Sequence, residues 1–349
     1  MRTVSLLFHD VYATDPRESG FVSPAADRYK LSVQQFDAQL AGLAQVRADA
    51  PVLVQGISEG LKPEINCVDA DEALWRSGRQ GSPDRARRLA GSASSRSERH
   101  AAGTAIAARS GHRNRDSSAS TQLVSGAEST GGLKASGYRN GVPYLITVDD
   151  GGVSYYTLVA DRLEARGWRG HCFVSTDAIG TRGFLSASQL RELDMRGHVI
   201  GTHSASHPAR FSACELAYMR EEWARSRMVL EDLLGHKVEI ASVPGGYYSR
   251  RVARSACDAG LRVVFTSEPI TASHDEAGTL VVGRFTLRRG HATDRAGLLA
   301  RREPWARYQE WASWRAKGLV KPMLGPLYSP TADWLLSRIG PSRPTRPAI

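Results

Sequence analysis

The sequence has few cysteines, and none of them stand close together. Cys67, Cys172, Cys214 and Cys257 share no CxxC spacing, which argues against a thiolate metal site and against a disulfide framework. We therefore expect four isolated thiols in a reducing compartment.

Long apolar runs are absent as well. No stretch of about 18 apolar residues is present, so we expect no transmembrane helix. The N-terminal stretch MRTVSLLFHDVYATD has one arginine, a short apolar segment and no small-residue cleavage site, which predicts no export by the usual route. The protein is expected in the cytoplasm, with contact to the inner face of the membrane as the alternative.

Aromatic residues are missing between Trp75 and Tyr138, where the chain is rich in Ser, Ala, Gly and Arg without periodicity. Such a composition cannot bury enough apolar surface to offset its ordering entropy, so we predict a disordered insertion over residues 56–140. Residues 76–115 hold ten arginines and two acids, which is most of the net charge of +10. Since no aromatic residue lies among them for base stacking, we expect no nucleic-acid partner. A basic arm for nucleic acid or an anionic membrane is the alternative.

The rest of the chain has the apolar periodicity of folded structure. Residues 1–55 carry a predicted strand, TVSLLF, then a helix with a Ser32/Gln35 capping box, then a short strand, PVLV. From 141 to 303 strands and helices alternate, which indicates a parallel sheet, either open or closed into a (β/α) barrel. Capping boxes are predicted at Ser186/Gln189 and Ser212/Glu215. Residues 304–349 form a Trp-rich extension.

Three polar motifs follow predicted strands. They are LITVDDGG, with Asp149 and Asp150, VIGTHSASHP, with His203 and His207, and ASVPGGYY, with a Pro-Gly-Gly turn. The carboxyl ends of parallel strands share one edge of a sheet or barrel, where reacting groups collect. The two histidines are four residues apart, and Pro208 is suited to start a helix. Two imidazoles and a carboxylate leave an open position on a catalytic zinc or similar ion.

These motifs resemble the first three motifs of the polysaccharide deacetylases, carbohydrate esterase family 4, over about residues 143–287. The resemblance implies a distorted (β/α) barrel of the NodB type, a divalent metal, usually zinc, and an N-acetylated glycan as substrate. It also implies metal ligands at Asp150, His203 and His207, and a general base at Asp149.

The family also needs a general-acid histidine, which ordinary members carry near the C-terminus in a Leu-x-His strand. No such motif follows residue 207, but LLFHD at the N-terminus resembles it. A permuted branch of the family has this order, so His9 is the predicted general acid.

One family residue is missing from the third motif. An arginine steadies the base in relatives, but Ser242 or Val243 stands at that position. Arg284, in VVGRFT, is either its replacement or an ordinary surface arginine. The turn predicts oxyanion or substrate contacts from a backbone N–H near Gly245, with Gly246, Tyr247 and Arg284 as further substrate-side residues.

The sequence therefore predicts a metal-dependent deacetylase of an N-acetylated amino sugar in a polysaccharide or its glycan precursor. Two alternatives are an amide hydrolase of a small acetylated molecule and a glycan-binding barrel that does not cleave. The tryptophans of the C-terminal extension are expected to pack against the barrel, and a peripheral membrane contact is the alternative. They are Trp305, Trp311, Trp314 and Trp334.

Overall fold

The structure is a computed structural model that describes residues 2–55, 142–246 and 248–324, with side chains described to residue 316. These residues all belong to one compact unit. The predicted insertion, Tyr247 and Trp334 lie outside the described residues, so the predictions made for them are not addressed.

The described residues contain a sheet of nine strands and a separate pair of two-residue strands. The strands are β1 (Val4–Phe8), β2 (Val11–Tyr12), β3 (Leu31–Ser32), β4 (Tyr144–Val148), β5 (His171–Val174), β6 (Val199–Thr202), β7 (Ile240–Ser242), β8 (Val263–Phe265), β9 (His274–Glu276), β10 (Thr279–Val282) and β11 (Phe285–Thr286).

Helices cover the outside of the sheet. They are α1 (Pro24–Asp27), α2 (Val33–Val46), α3 (Ala160–Glu164, preceded by a π-helical turn, Tyr155–Val159), α4 (Ala187–Met195), α5 (Leu216–Leu234), α6 (Arg250–Asp258), α7 (Arg295–Ala300) and α8 (Pro304–Leu324). No helix in the described ranges is both long and apolar enough to cross a membrane.

The sheet curls until its two ends meet. Its strand order is β11-β1-β4-β5-β6-β7-β8-β10-β9, and all neighbours are parallel except β10 and β9. β10 pairs with β8 and β11 pairs with β1, yet only Gly283 and Arg284 separate β10 from β11. Because two residues span little distance, this segment joins the two ends of the sheet. The expected distorted (β/α) barrel is therefore confirmed.

The N-terminal strand lies inside this barrel, between strands from the far end of the chain. β1 pairs with β4 on one side and with β11 on the other. The helix that follows it, α2, crosses α7 so closely that a Cβ on Gly297 would lie 2.5 Å from the carbonyl oxygen of Gly42. The amino-terminal residues are thus an integral part of the barrel.

Local sequence signals set most helix boundaries. The predicted capping boxes at Ser32/Gln35 and Ser186/Gln189 are both formed. Gly235 ends α5 in the left-handed conformation. The predicted Ser212/Glu215 box is wrong. Ser212 lies in a separate 3₁₀ turn, so α5 begins only at Leu216, and its N-cap residue, Glu215, makes no side-chain cap.

The predicted strand at PVLV is also wrong. Pro51 has no N–H to donate, and although Val52 donates to the Tyr144 carbonyl at 2.8 Å, Val54 donates instead to the imidazole of His171 at 2.9 Å. The segment therefore lies against the barrel without forming a regular ladder.

Candidate active site

The carboxyl ends of β1 and β4 lie side by side at one edge of the barrel. Phe8 is in register with Val148, and the Asp149 N–H donates to the Phe8 carbonyl at 3.1 Å. His9 and Asp149 are the next residues on these two strands. The barrel therefore brings together two residues that lie 140 positions apart in the sequence.

Three donor side chains converge at the same edge. The ligand atoms of Asp150, His203 and His207 lie within 4.8 Å of one another. Asp150 Oδ1 is 3.4 Å from His203 Nε2 and 3.5 Å from His207 Nε2. The structure therefore brings the three predicted metal ligands together.

Unusual backbone conformations hold these side chains. Asp150 has a φ of 77°, Ser204 of 65° and His207 of 55°, all in the left-handed region that residues with a side chain rarely adopt. Such strain persists where surrounding structure enforces it, and it clusters at functional sites. Pro208 was expected to start a helix, but no helix begins there. The chain turns at His207 and next forms a 3₁₀ turn over Phe211–Ala213.

Hydrogen bonding fixes the orientation of the His203 ring. Its Nδ1 lies 2.9 Å from the carbonyl oxygen of Ser242 and can only donate to it, so Nδ1 carries the proton. Nε2 then presents its lone pair to Asp150 and His207. Metal-binding histidines are oriented in this way, by a partner on the nitrogen that does not bind the ion.

The pKa values of the two histidines are shifted in opposite directions. Burial lowers the pKa of His207 to about 4, with a further contribution from His203. Burial would also lower the pKa of His203, but Asp149 and Asp150 raise it overall. His207 is therefore neutral at pH 7, and a cation would compete with a proton for His203.

Arg284 holds Asp149 through two hydrogen bonds at the place where the two ends of the sheet meet, and we call this contact the clamp. Arg284 Nη1 donates to Asp149 Oδ1 at 2.7 Å, and Nη2 donates to Oδ2 at 2.8 Å. Ser242 Oγ also donates to Oδ2, at 2.9 Å. Burial alone would raise the pKa of Asp149, but the charge of Arg284 contributes to lowering it overall. Asp149 is thus a buried carboxylate held in its ionised form.

Arg284 is fully buried, so its interpretation as a surface arginine is wrong. Its Nε donates to the Thr266 carbonyl at 2.9 Å, and Nη2 donates to Ser242 Oγ at 2.7 Å. Ser242, one of the two residues found where relatives carry the arginine, thus contacts the guanidinium of Arg284 from the segment between β10 and β11.

His9 lies at the same edge of the barrel, directly after β1. Its ring lies 4.9 Å from that of Tyr29, and its Nδ1 is enclosed without a hydrogen-bond partner among the described residues. Burial lowers its pKa, whereas the nearby charges of Asp150 and Asp149 oppose this shift. The residues predicted as general acid and general base, His9 and Asp149, therefore both lie beside the donor cluster.

With this geometry in view, residues 139–264 match the family model for polysaccharide deacetylase. The YxkH protein of Bacillus subtilis (strain 168), named as a polysaccharide deacetylase, is 26% identical over 132 residues. The match covers 38% of this chain and 47% of YxkH. This chain therefore spans about half the length of that relative.

Residues 139–264 are thus similar to the polysaccharide deacetylases. The resemblance predicted from the sequence is therefore confirmed.

Two solved structures share the fold of this chain over most of its length. The Streptococcus pyogenes deacetylase PplD, solved in complex with acetate, has a TM-score of 0.52 at 15% identity and covers 87% of this chain and 99% of its own. IcaB from Ammonifex degensii has a TM-score of 0.50 at 18% identity and covers 88% and 97% of the two chains.

The Pro-Gly-Gly turn of the deacetylase region lies after β7, as predicted, and is a 3₁₀ turn. Gly245 and Gly246 have φ angles of 63° and 68°, which glycine adopts without strain. The Gly246 N–H already donates to the Val243 carbonyl at 3.3 Å. This leaves the Gly245 N–H as the better candidate for a substrate contact, and Tyr247 lies outside the described residues.

One buried network beside the candidate active site was not predicted from the sequence. The side chain of Asp10 accepts from Ser19 Oγ at 2.6 Å and from Ser154 Oγ at 3.0 Å. Burial, with the charge of Asp150, raises its pKa to about 6. The HD pair was visible in the sequence, but nothing local indicated that Ser19 and Ser154 would meet Asp10.

A pair of phenylalanines packs beside one donor of the candidate active site. The ring of Phe21 lies 4.7 Å from that of His207 and 5.0 Å from that of Phe184. The loop carrying Phe21 is fixed by a hydrogen bond of 2.8 Å from the Gly20 N–H to the Gly183 carbonyl. Sequence reasoning missed both rings because they belong to irregular segments.

Proposed function

We propose that this protein hydrolyses the N-acetyl group of an N-acetylated amino sugar in a polysaccharide or its glycan precursor, using a divalent metal ion such as zinc. The observation that carries the proposal is the convergence of three donors, a clamped carboxylate and a histidine at one barrel edge. Water and the acetamide would yield acetate and a free amine.

The donor atoms fit such an ion. Tetrahedral zinc with bonds of about 2.0 to 2.2 Å separates its ligand atoms by about 3.4 Å, close to the 3.4 and 3.5 Å between Asp150 and the two imidazoles. Two nitrogens and one oxygen leave a position open for water and for the substrate carbonyl. When bound, the ion would polarise the carbonyl and acidify water.

Asp149 is suited to accept the water's proton. Its Oδ2 accepts from both Arg284 and Ser242, whereas Oδ1 accepts only from Arg284 within the described part of the chain. Oδ1 therefore retains a lone pair for the incoming proton. The clamp keeps the Asp149 carboxylate beside the donor cluster, since its Oδ2 lies 4.0 Å from His203 Nε2.

His9 is suited to protonate the departing amine. Because Nδ1 is enclosed, Nε2 is the nitrogen that would deliver the proton. Burial lowers the pKa of His9 overall, and the charges of Asp150 and Asp149 oppose part of this shift by favouring the protonated ring. An amine is a poor leaving group without this proton.

The alternative of a barrel that binds glycans without cleaving them rested on the missing arginine of the third motif. The bidentate contact of Arg284 with Asp149 removes that reason. No described contact favours a small acetylated molecule over a glycan.

The test is acetate release from N-acetylglucosamine oligomers, measured on chelated protein before and after adding zinc, cobalt or manganese. Release should require the ion, and Asp150→Ala, His203→Ala and His207→Ala should each lower metal content by a large factor. His236→Ala, a surface histidine bound to Asp194, is the matched control and should keep its metal.

Asp149→Asn should retain metal but release little acetate, which separates the base from the ligands. Full metal content in a His203→Ala/His207→Ala protein would place the ion elsewhere. Bound metal without acetate release from any acetylated oligomer would contradict the proposed hydrolysis.

A further inference from the structure

Helix α8 exposes a row of aromatic side chains. Trp305, Tyr308 and Trp311 are 67%, 54% and 41% exposed, although large aromatic residues are usually buried. Successive ring centroids lie 5.8 and 6.0 Å apart and the rings are inclined by 26° and 30°. The expectation that these tryptophans pack against the barrel is therefore wrong for Trp305 and Trp311.

Three arginines converge on a pocket beside this row. The pocket has a volume of about 550 Å³, and its lining includes Arg2, Arg302 and Arg307 together with Tyr308 and Trp311. None of the three arginines forms an ion pair with a carboxylate in the described ranges. By contrast, Glu310, buried on another side of the same helix, pairs with both Arg288 and Arg295.

The converging charges repel one another. Burial lowers the pKa of Arg307, and the charges of Arg302 and Arg2 lower it further. The Nε atoms of Arg302 and Arg307 are buried without a hydrogen-bond partner among the described residues. Like charges brought together in this way favour an anion, which would relieve the repulsion and supply the missing acceptors.

This surface lies at the opposite end of the barrel from the candidate active site. Arg2 precedes β1 and forms a bridge with Ala272, whereas His9 follows the same strand. A strand of five residues is about 17 Å long. A partner bound at the arginines would therefore leave the catalytic edge open.

We propose that the aromatic row and the arginine pocket form a docking site for the surface of an anionic phospholipid membrane. Guanidinium groups bind phosphate oxygens in a bidentate manner, and tryptophan and tyrosine favour the headgroup level of a bilayer. A single soluble phosphate would occupy the pocket but leave the aromatic row exposed. Arg315 extends the basic surface, because its guanidinium lies 5.4 Å from the centre of the Trp311 ring. The inference stands independently of the proposed reaction.

The test is co-sedimentation of the full chain with phosphatidylcholine vesicles, with and without phosphatidylglycerol. Binding should require phosphatidylglycerol and weaken with added salt. Arg302→Gln/Arg307→Gln should weaken it by about fivefold for each arginine removed. Arg250→Gln/Arg254→Gln, the same change of charge on exposed residues of α6, is the matched control and should bind as the wild type does.

Trp305→Ala/Trp311→Ala should also weaken binding, and brominated lipids should quench the wild-type tryptophan fluorescence more than that of this variant. Unchanged circular dichroism would confirm that the variants fold. Equal binding by the pocket and control variants would overturn the proposal. So would occupation of the pocket by glycerol phosphate or a soluble anionic glycan in a protein that does not bind vesicles.

Discussion

His9 is not one of the three proposed metal ligands, so its role can be tested without changing the metal site. His9→Ala removes the proposed proton donor without touching the donor cluster, so kcat should fall by about 10² to 10⁴ while metal content is kept. The residual activity should lose its decline at high pH, because that decline would report loss of the His9 proton. Phe8→Leu should have little effect on kcat. Wild-type acetate release by His9→Ala would refute the assignment.

The Arg284–Asp149 pair is a second test at the level of single residues. Arg284→Leu leaves a carboxylate buried without its partner, so the free energy of unfolding should fall by about 3 to 5 kcal/mol in urea denaturation. Asp149→Asn/Arg284→Leu removes both charges and should recover part of this loss.

A surface pair with similar geometry provides the control for Arg284. Arg225 binds Asp177 through two contacts of 3.0 Å, with both side chains about half exposed. Asp177→Asn weakens this exposed pair and leaves Arg225 bound to Glu222 at 3.1 Å, so it should cost less than about 1 kcal/mol. A similar cost for Arg284→Leu and Asp177→Asn would show that the buried pair contributes no more to stability than the surface pair.

Asp10 should make stability depend on pH. A carboxyl whose pKa is about 6 in the folded protein and 3.8 when unfolded binds more protons in the folded state. Stability therefore falls as pH rises between these values, by up to about 3 kcal/mol. Asp10→Asn should be more stable than the wild type at pH 8, and the difference should shrink towards pH 4. The measurement should use protein freed of metal by a chelator. A stability difference between Asp10→Asn and the wild type that stays constant from pH 4 to pH 8 would contradict the raised pKa of Asp10.

At the scale of secondary structure, the sequence predicted most elements because their signals are local. Apolar periodicity and capping boxes placed α2 and α4, and alternation of strands and helices predicted the parallel sheet. The failures came where local signals competed. Ser212 had a capping pattern but lies in its own 3₁₀ turn. Pro208 was suited to start a helix, but the next helical turn begins only at Phe211.

The chemistry of the site was predictable only in part, for the same reason. Asp149, Asp150, His203 and His207 stand in short motifs, so the sequence places them at strand ends. The contact of Arg284 with Asp149 depends on the closure of the barrel, which pairs β10 and β11 with different neighbours. No local pattern specifies such a closure, and Arg284 looked like any other arginine.

Gly283, where the sheet closes, provides a test at this scale. A Cβ there would lie 2.5 Å from both the Glu268 carbonyl oxygen and Ile270 Cγ1. Gly283→Ala should therefore displace Arg284, costing about 1 to 3 kcal/mol of stability and lowering kcat. Gly180→Ala meets open space at a φ of 77° and should cost only about 1 kcal/mol, with kcat unchanged. Unchanged kcat in Gly283→Ala would show that the clamp tolerates movement.

At the scale of the whole molecule, residues just before position 56 are hydrogen-bonded to residues just after position 141. Arg47 Nη1 donates to the Val142 carbonyl at 2.9 Å, and the Tyr144 hydroxyl donates to the Asp49 carbonyl at 2.7 Å. Val52 and Val54 are bonded to β4 and β5 as described above. The two ends of the intervening segment are therefore anchored to the same part of the barrel.

Replacing residues 56–141 by a Gly/Ser linker of about eight residues should leave the barrel intact. Such a linker has a root-mean-square length of about 15 Å, enough to join neighbouring anchors. The composition of this segment, with no aromatic residue between Trp75 and Tyr138, also predicts that it adds little to a core. Metal content, thermal unfolding and acetate release should match those of the full chain. Loss of metal together with cooperative unfolding would show that the segment is a structural part of the barrel. Loss of acetate release alone would instead assign it to substrate binding.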